Sequence, residues 1–466
     1  MRPHYSRPFI RDVAELAYDE AAVFSAAWIP MRSQFFFLHP TPDVPPSRPE
    51  HLRLANARCI LRLLRSHSPC SKADLVRLSN LSAPTVASAV RLLRTHGLIR
   101  DAGDGISHGG RPPSLLVYQA DHAFVAAADI GGTRLRMMLA DLNGKVHAQW
   151  ATDFTGEQRS PRGVCGVVRE GLRAMCRTAK VGKESVAHLT AGAPGITNVT
   201  EGIVLSAPNL SGWENVPLRA LLARATGLPV CVENDTNLAA AGEHWNGAAE
   251  NVENFLFVAL GTGIGAGIYL RGRPYHGANW SAGEIGYMTL DVRARTPLQI
   301  HATGDLDRAL GGQGIATEWR RRLRLAQRSG TRLTRLRATE IFDLAVQGDS
   351  TASEVLEDTA RSLAGCLSDL ALAFDPELIV LGGGVGSHPA LRTATETILG
   401  RNEFARPKLL SSSLRTQAQL YGALAVSLEA TEDSLIAAMQ EPKTKRPQSK
   451  KAATRGQRAT AKRSVR

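Results

Sequence analysis

Three apolar segments of this chain, each with the length and composition of a buried β-strand, run directly into glycine-rich turns. The segments are residues 125–130, 255–260 and 378–381, and the turns are residues 129–133, 261–267 and 382–384. Helical segments such as residues 161–180 lie between them. Because alternating strands and helices are typical of a layered α/β fold, most of the chain behind residue 123 is predicted to adopt one.

Glycine turns that follow strands expose backbone N–H groups, which bind phosphate oxygens. Asp129 beside the first turn is expected to lie near a phosphate-bound cation, and the last turn leaves flat space for an adenine ring. One glycine turn alone is weak support, because such turns are common. The candidate nucleotide- or phosphate-binding residues are Asp129, Gly131, Gly132, Thr133, Gly261, Thr262, Gly263, Gly265, Gly383 and Gly384.

Residues 233–237, with the sequence Glu-Asn-Asp-Thr-Asn, carry a different chemistry. A carboxylate such as Asp235 at the end of a strand can accept a hydroxyl proton while a neighbouring amide holds other hydroxyls. Asn209 and Glu284 are further candidate partners for a polyol. The alternative interpretation is that Asp235 and Asn237 are ordinary helix N-caps.

Residues 71–117 have the pattern of a winged helix-turn-helix. Ser71 and Ser82 are predicted to cap its second and third helices, and Gly97 is predicted to end the third. Residues 98–100 and 115–118 are predicted strands, joined by a glycine-rich, basic hairpin that we call the wing. A preceding helix has an apolar face formed by Leu54, Ala57, Ile60, Leu61 and Leu64.

The third helix of this unit is predicted to be a DNA recognition helix, because its outward positions are polar or basic. The wing carries an arginine on a tip that can enter a minor groove. The alternative is a plain three-helix bundle used for protein contact. The candidate DNA-binding residues are Thr85, Ser88, Arg91, Arg94 and Arg111.

The formal net charge of +13 is concentrated at one end of the chain. Residues 441–466 contain ten Lys or Arg, one acid and almost no apolar side chains, a local charge of +9. Residues 433–466 are therefore predicted to form a disordered basic tail that attracts polyanions, the alternative being a solubilising tail with no dedicated role. Residues 1–50 are predicted to be an irregular extension in which Met31 is an alternative start.

The six cysteines are scattered and form no Cys-x-x-Cys pair, which is typical of buried thiols in a reducing cytoplasm. No apolar run is long enough to cross a bilayer, and acidic residues interrupt the N-terminal apolar stretch. Neither a membrane span nor a signal peptide is expected. A cytoplasmic location follows as a prediction.

From about residue 123 to residue 429 the ordered motifs resemble those of the ROK family (repressors, open reading frames and kinases) within the actin-like ATPase, ribonuclease-H-like superfold. The matching motifs are residues 129–133, 193–195, 208–213, 233–235, 261–267, 283–286 and 374–384. The helix-turn-helix with its Gly-Gly-Arg-Pro-Pro wing resembles that of the family's repressor branch. The resemblance implies a winged helix-turn-helix domain (51–120) and a two-lobed ROK domain (121–432), which leaves the extension (1–50) and the tail (433–466) on either side.

The resemblance also implies roles for particular residues. A sugar lies deep between the lobes, at positions that correspond here to Asn209, Asn234, Asp235 and Glu284. In the family's kinases the aspartate that matches Asp235 is the catalytic base that deprotonates the sugar hydroxyl. The glycine loops of those kinases hold ATP, and magnesium accompanies the nucleotide.

Two departures from the family pattern concern the sugar contacts. Tyr287 stands where the family has a histidine that touches the sugar and ligates a structural zinc, and the cysteines that complete that zinc site are absent. His301 alone cannot hold zinc, which takes four ligands, so no metal and no required cofactor are expected. Tyr287 is predicted to contact the sugar instead, and Asp307 stands roughly where a sugar-binding glutamate would follow.

The first hypothesis is a sugar-responsive transcriptional regulator, whose expected partners are a double-stranded DNA operator and a sugar or sugar-phosphate effector. It is expected to be a homodimer or tetramer, with the dimer matching a two-fold operator. The alternative is an active, glucokinase-like, ATP-dependent sugar kinase that carries a DNA-binding domain. A third hypothesis is a degenerate scaffold that binds DNA constitutively.

Overall fold

The computed structural model describes residues 49–104, 114–207, 210–289, 298–299, 303–328, 330 and 332–440. The N-terminal part, called the head here, contains three helices and a small sheet. Its elements are α1 (Pro49–His67), β1 (Cys70–Ser71), α2 (Lys72–Ser79), α3 (Ala83–Thr95), β2 (Ile99–Asp104) and β3 (Ser114–Tyr118). The strands are ordered β1-β3-β2, and the two long ones flank the wing as predicted.

Local capping explains where the helices of the head begin and end. The Ser71 side chain accepts a hydrogen bond from the Asp74 backbone N–H at 3.1 Å, and the Asp74 carboxylate accepts one from the Ser71 backbone N–H at 3.0 Å, which makes a complete capping box. Ser82 caps α3, and Gly97 follows that helix with a φ of 74°. These predicted caps are confirmed. The predicted apolar face of α1 is confirmed as part of the head's core.

The first lobe of the main domain is built on a five-stranded sheet with the order β11-β7-β4-β5-β6. The central strand β4 pairs antiparallel with β5 and parallel with β7. A small sheet, β10-β9-β8, lies in the same lobe. The elements are β4 (Phe124–Ile130), β5 (Arg134–Asp141), β6 (Val146–Asp153), α4 (Pro161–Ala179), β7 (Val186–Ala193), β8 (Ile196–Asn198), β9 (Ile203–Ser206), β10 (Glu214–Val216), α5 (Leu218–Thr226) and β11 (Val230–Asn234).

The second lobe is built on another five-stranded sheet, ordered β14-β13-β12-β15-β16, with its own apolar core. Its strands β12 and β15 are buried and nearly all apolar, as parallel strands covered on both faces are. The elements are β12 (Phe255–Leu260), β13 (Ile264–Leu270), β14 (Arg273–Pro274), α7 (Asp305–Leu310), α8 (Gly312–Leu325), α9 (Ala338–Val346), α10 (Ser350–Phe374), β15 (Leu378–Gly382), α11 (Gly383–Gly386), α12 (Pro389–Leu399) and β16 (Lys408–Ser411).

Two helices join these parts, α6 (Asp235–Asn246) and α13 (Ala418–Ala438). They pack closely because glycines lie at the crossing: a Cβ at Gly242 would stand 2.2 Å from the Ala418 carbonyl oxygen, and one at Gly422 would stand 1.8 Å from that of Leu238. The two-lobed α/β architecture behind a winged helix-turn-helix is therefore confirmed.

The C-terminal boundary differs from the prediction. The tail was predicted to start at residue 433, but α13 continues to Ala438. The reason is tertiary packing, since Ile436 and Met439 are buried in the core of the head. Residues 441–466 lie outside the described part of the chain. Within that part, no helix has both the length and the apolar character that a bilayer crossing requires.

Candidate functional site

The first element of the site is the junction where β11 ends and α6 begins. Asn234 is the N-cap of α6, because its Oδ1 accepts hydrogen bonds from the backbone N–H groups of Thr236 (2.8 Å) and Asn237 (3.0 Å). Its Nδ2 donates to the Gly195 carbonyl oxygen at 3.0 Å. The interpretation of Asp235 and Asn237 as the caps is therefore wrong, and the Asp235 carboxylate is left for other chemistry. A sugar contact by Asn234 stays a prediction. Because Oδ1 accepts two hydrogen bonds and one N–H of Nδ2 donates another, the remaining N–H of this amide is the group left for the sugar.

Asp235 is the first residue of α6 and is set up as a proton acceptor. The pKa of its carboxyl group is raised to about 6, first by burial and then by the nearby charge of Asp129, while hydrogen bonds from Thr236 oppose the shift. The Thr236 hydroxyl donates to Asp235 Oδ1 at 3.1 Å. A carboxylate with a pKa close to neutrality is well matched to taking a proton from a hydroxyl.

Two further carboxylates of the second lobe complete an acidic cluster with Asp235. The pKa of Glu284 is raised to about 7, first by burial and then by the charges of Asp235 and Asp307. The pKa of Tyr287 is raised by burial and then by the charges of Glu284 and Asp307. The structure thus brings together four of the residues predicted to bind sugar. Of the two other predicted contacts, Asn234 caps α6, and Asn209 lies outside the described residues.

Asp307 is tied directly to the second glycine turn. Its Oδ1 accepts a hydrogen bond from the Ile264 backbone N–H at 2.7 Å. The turn has room for this carboxylate only because glycines surround it: a Cβ at Gly263 would stand 2.7 Å from Oδ1, and one at Gly286 would stand 2.6 Å from it. The Ile264 N–H is therefore already used by Asp307. The Asp307 carboxylate also places negative charge at the turn that was predicted to bind a phosphate.

The glycine turns are shorter than the sequence indicated. The second turn was predicted to span residues 261–267, but β13 begins at Ile264, so Gly265 lies in a strand. Gly265 and Gly267 instead allow close packing on α6, since a Cβ at Gly267 would stand 2.8 Å from the Thr236 carbonyl oxygen. After β15, Gly383 has a φ of 78° and opens the single helical turn α11. Nucleotide binding by these residues stays a prediction.

Asp129, the predicted neighbour of a cation, is held by an arginine that the sequence analysis missed. Arg136 donates from Nε to Asp129 Oδ2 at 2.9 Å, and its Nη2 contacts the same oxygen. Burial raises the pKa of Asp129 although Arg136 opposes this shift. The register could have revealed the pair, because Asp129 lies directly opposite Arg136 in the β4–β5 hairpin. Arg136 Nη1 also donates to the Thr416 carbonyl oxygen, just before α13.

Asp129 is the residue beside which a phosphate-bound magnesium ion was expected. Magnesium in phosphate sites typically takes one or two carboxylates together with phosphate oxygens. Asp129 has only Oδ1 free of the guanidinium. Among the residues that the structure describes, no three or more His, Cys, Asp or Glu side chains are arranged to hold a metal. These residues do not by themselves form a metal site, and His301 lies outside the described ranges.

Glu233 connects the start of α6 with the second lobe, a role that the sequence analysis did not predict. Its Oε2 is 2.8 Å from Nε2 of His276, which belongs to the second lobe, and its Oε1 accepts from the Asn237 side chain at 3.0 Å. Burial alone would lower the pKa of His276, but the charge of Glu233 and its hydrogen bond raise it. The pair therefore anchors α6 and β11 to the segment that follows β14.

The predicted DNA-binding face lies on α3 opposite its buried side. Ser88 and Arg91 are exposed, whereas Thr85 is half-buried and its hydroxyl lies 2.8 Å from that of Ser82. Arg94 is exposed but forms an ion pair with Asp101 of β2 at 2.7 Å. Arg111 of the wing lies outside the described residues. DNA contact by these residues stays a prediction.

The fold and the cleft define a class: a two-lobed, sugar-kinase-like domain with half-buried carboxylates at its centre and a winged helix-turn-helix ahead of it. Residues 125–430 match the model of the family described as the ROK family. The chain belongs to the ROK family.

Relatives of this chain include both enzymes and regulators. A glucokinase of Halalkalibacterium halodurans is 33% identical over 262 residues, which covers 55% of this chain and 79% of the relative. The xylose repressor of Bacillus subtilis is 24% identical over 383 residues, which covers 81% of this chain and 96% of the repressor. The repressor is therefore matched over nearly its whole length.

The solved structures that resemble this chain also include both a regulator and an enzyme. A ROK family transcriptional regulator described as a homologue of the E. coli MLC protein superposes with a TM-score of 0.70 at 24% identity, covering 84% of this chain and 99% of that one. A ROK hexokinase from Thermus thermophilus superposes with a TM-score of 0.54 at 29% identity, covering 66% of this chain and 99% of the hexokinase. The first likeness shows the fold alone.

Proposed function

We propose that this protein is a sugar-responsive, DNA-binding transcriptional regulator, and more specifically a repressor of genes for carbohydrate uptake or breakdown. The observation that carries the proposal is the joining of a basic, exposed α3 to a carboxylate-lined cleft within one chain. The length over which the xylose repressor matches supports it. As a DNA-binding protein it would act in the cytoplasm, as a homodimer on a two-fold operator.

The effector suited to this cleft is a neutral sugar. Asp235, Glu284 and Asp307 are acceptors for hydroxyl groups, and they repel one another when no ligand lies between them. A polyol would donate hydrogen bonds to all three, whereas a phosphate placed among them would add to the repulsion. Between the two effectors predicted from the sequence, the charge of the cluster favours the sugar over the sugar phosphate.

Helix α13 is the physical connection between the cleft and the head. It packs along α6, whose first residue is Asp235, and its buried Ser427 lies 2.7 Å from the Thr190 hydroxyl of the first lobe. At its other end Glu432 receives the Arg62 guanidinium at 2.8 Å. A sugar that draws the lobes together would therefore shift the helix that holds α1, and so change operator affinity.

The test is operator binding by the full chain with and without sugar. The probe is the DNA upstream of the protein's own gene, measured by gel shift against a panel of pentoses and hexoses. We expect specific retention and a change of about 5–150-fold in affinity with at least one sugar, the range typical of allosteric coupling. Absence of any retained fragment, with or without sugar, would overturn the proposal.

An active sugar kinase is the second candidate, because Asp235 has the pKa of a general base and a glucokinase is among the relatives. The charge of Asp307 within the second glycine turn counts against it. Release of ADP from ATP would be followed with glucose and other hexoses, in the wild type and in Asp235→Asn. Turnover that disappears in this variant would favour the kinase; absence of turnover alongside sugar binding would leave the regulator.

A further inference from the structure

Beside the first glycine turn the first lobe contains an open pocket of about 450 Å³, and Gly132 is the one predicted site residue among those that the structure places on its wall. Its size lies within the ~300–1,000 Å³ typical of small-molecule sites. The pocket is separate from the acidic cluster, because none of the clustered carboxylates lines it. Its walls are formed by Gly132, Glu157, Arg159, Ser160, Leu210 and Ser211.

The walls are held in place before any ligand binds. The Trp213 indole N–H donates to the Arg159 carbonyl oxygen at 2.8 Å, which ties the segment before α4 to the turn at residues 210–213. Ser160 caps α4 by accepting from the Gly163 N–H at 3.1 Å. The buried Leu210 lies against the turn of Gly132, 3.9 Å from where a Cβ would stand. A ligand in this pocket would therefore meet preformed walls.

The pocket is linked through a series of contacts to the start of α6, where the sugar is predicted to lie. Asn234 bonds the Gly195 carbonyl oxygen, and a Cβ at Gly195 would stand 2.8 Å from the Cα of Ala207. Ala207 in turn accepts the backbone N–H of Leu210 at 2.9 Å. This chain of contacts leads from the start of α6 to the pocket wall. On the other side, Gly132 follows Asp129 by three residues, and the Asp129 charge reaches Asp235.

The chemistry of the lining selects a neutral polyol. Three side chains on the wall, Glu157, Arg159 and Ser211, have no polar partner within the described part of the chain. A carboxylate accepts from hydroxyls, a guanidinium donates to them, and a serine does both. The carboxylate and the guanidinium cancel in charge, which disfavours an anion, and Leu210 offers an apolar surface to the C–H face of a ring.

We infer that this pocket is a subsite for the second ring of a disaccharide or glycoside effector whose first ring lies at Asp235, Glu284 and Asp307. The inference rests on the proposed function, and it narrows the class of effector from sugars in general to those with a neutral extension. The extension then adds to the affinity, because its hydroxyl groups form hydrogen bonds with a carboxylate, a guanidinium and a serine of the wall.

The experiment is calorimetric titration of the full chain with matched pairs: xylose and xylobiose, glucose and cellobiose, glucose and maltose, with glucose 6-phosphate as a separate arm. The variants are Arg159→Ala, which removes a donor, and Ser211→Trp, which fills the exposed rim. Arg162→Ala is the control, because this exposed arginine follows Arg159 by three residues, in the first turn of α4, but does not line the pocket.

For the wild type we expect one disaccharide to bind at least about tenfold more tightly than its monosaccharide, as a hydrogen bond to a charged group provides. Arg159→Ala and Ser211→Trp should remove that advantage and leave monosaccharide affinity within about twofold, and Arg162→Ala should change neither. Equal binding of both members of every pair, or an equal loss of monosaccharide binding in the variants, would overturn the inference alone. Preferred binding of glucose 6-phosphate that Arg159→Ala abolishes would also overturn it. Failure of every sugar to bind would instead refute the proposed function.

Discussion

At the scale of single residues, the cleft contains a carboxylate whose ionisation costs stability. Glu284 has a pKa near 7 when folded against an ordinary value of 4.5, because it is buried beside other carboxylates. A raised folded pKa means that its contribution to stability is complete below the unfolded value and is lost as the pH rises through the folded one. Above pH 7 the folded protein therefore carries a buried, poorly compensated charge.

Glu284→Gln removes this charge and should make the free protein more stable at pH 8 by on the order of 1–3 kcal/mol, with a smaller difference at pH 5. Sugar affinity should fall, because an amide is a weaker acceptor than a carboxylate. Thermal melts at both pH values and titration with sugar measure the two effects. The exposed Glu250→Gln serves as the control. An equal shift at pH 5 and pH 8 would contradict the role of ionisation.

On the DNA-binding face, the Arg94–Asp101 ion pair reduces the positive charge presented to a phosphate. Asp101 also accepts from the Ser114 hydroxyl at 3.2 Å, so both long strands of the head meet at this carboxylate. Asp101→Asn should release Arg94, raise operator affinity severalfold and steepen the salt dependence by about one ion.

Arg91→Ala should act in the opposite direction, because Arg91 is exposed and pairs with no acid in the described part of the chain. A loss of about 1–3 kcal/mol is expected if it contacts a base. Gel shifts at several salt concentrations measure both variants, with the exposed Asp121→Asn as the control. Unchanged affinity in Arg91→Ala would mean that α3 is not the recognition helix.

How much of the site could be predicted depended on whether each feature is local. Ser71 and Ser82 were identified as caps because capping involves only neighbouring residues. The Asn234 cap was missed, since it depends on where β11 ends within its sheet. Arg136 was missed for the same kind of reason: it acts across a hairpin, and its partner follows from the register rather than from a motif.

At the scale of elements, α13 gives the clearest departure from expectation. Residues 433–440 contain one charged residue, Asp433, and several apolar ones, yet the prediction grouped them with the basic tail. The structure places them in a helix because the head offers an apolar core for Ile436 and arginines for Glu432. The presence of strands and helices could be predicted from the spacing of apolar residues. The end of α13 could not, because it depends on packing against the head, which is distant in sequence.

Disrupting that junction should uncouple sugar from DNA. In Glu432→Ala the Arg62 contact is lost, and in Ile436→Ser the helix loses part of its apolar anchor. Sugar affinity should stay within about twofold, while the effect of sugar on operator affinity should fall from the 5–150-fold range to below about threefold. Titration and gel shift measure the two quantities.

The control for the junction is Ser434→Ala on the same helix, because this exposed hydroxyl donates only to the Ala430 carbonyl oxygen of α13 itself. Operator binding without sugar checks that the head remains folded in each variant. A full sugar response in both Glu432→Ala and Ile436→Ser would show that the signal reaches the head by another route.

At the scale of the whole molecule, most of the net positive charge lies in a C-terminal segment, where it favours association with polyanions rather than folding. The described domains need no net charge to fold, yet the chain carries +13, of which residues 441–466 supply +9. Charge of this kind acts on any polyanion and carries no sequence information. The head would supply operator specificity, and the C-terminal segment would supply sequence-independent attraction.

Truncation after Gln440 should therefore weaken binding to operator and to unrelated DNA by similar factors, and it should flatten the salt dependence of both. The ratio of the two affinities should stay the same, because base contacts lie elsewhere. The truncation keeps Ile436 and Met439, so the junction with the head is preserved. Gel shifts on the operator and on a scrambled fragment of equal length provide the comparison. A loss confined to the operator would mean that the segment contributes to sequence recognition, and the division between specific head and nonspecific tail would be wrong.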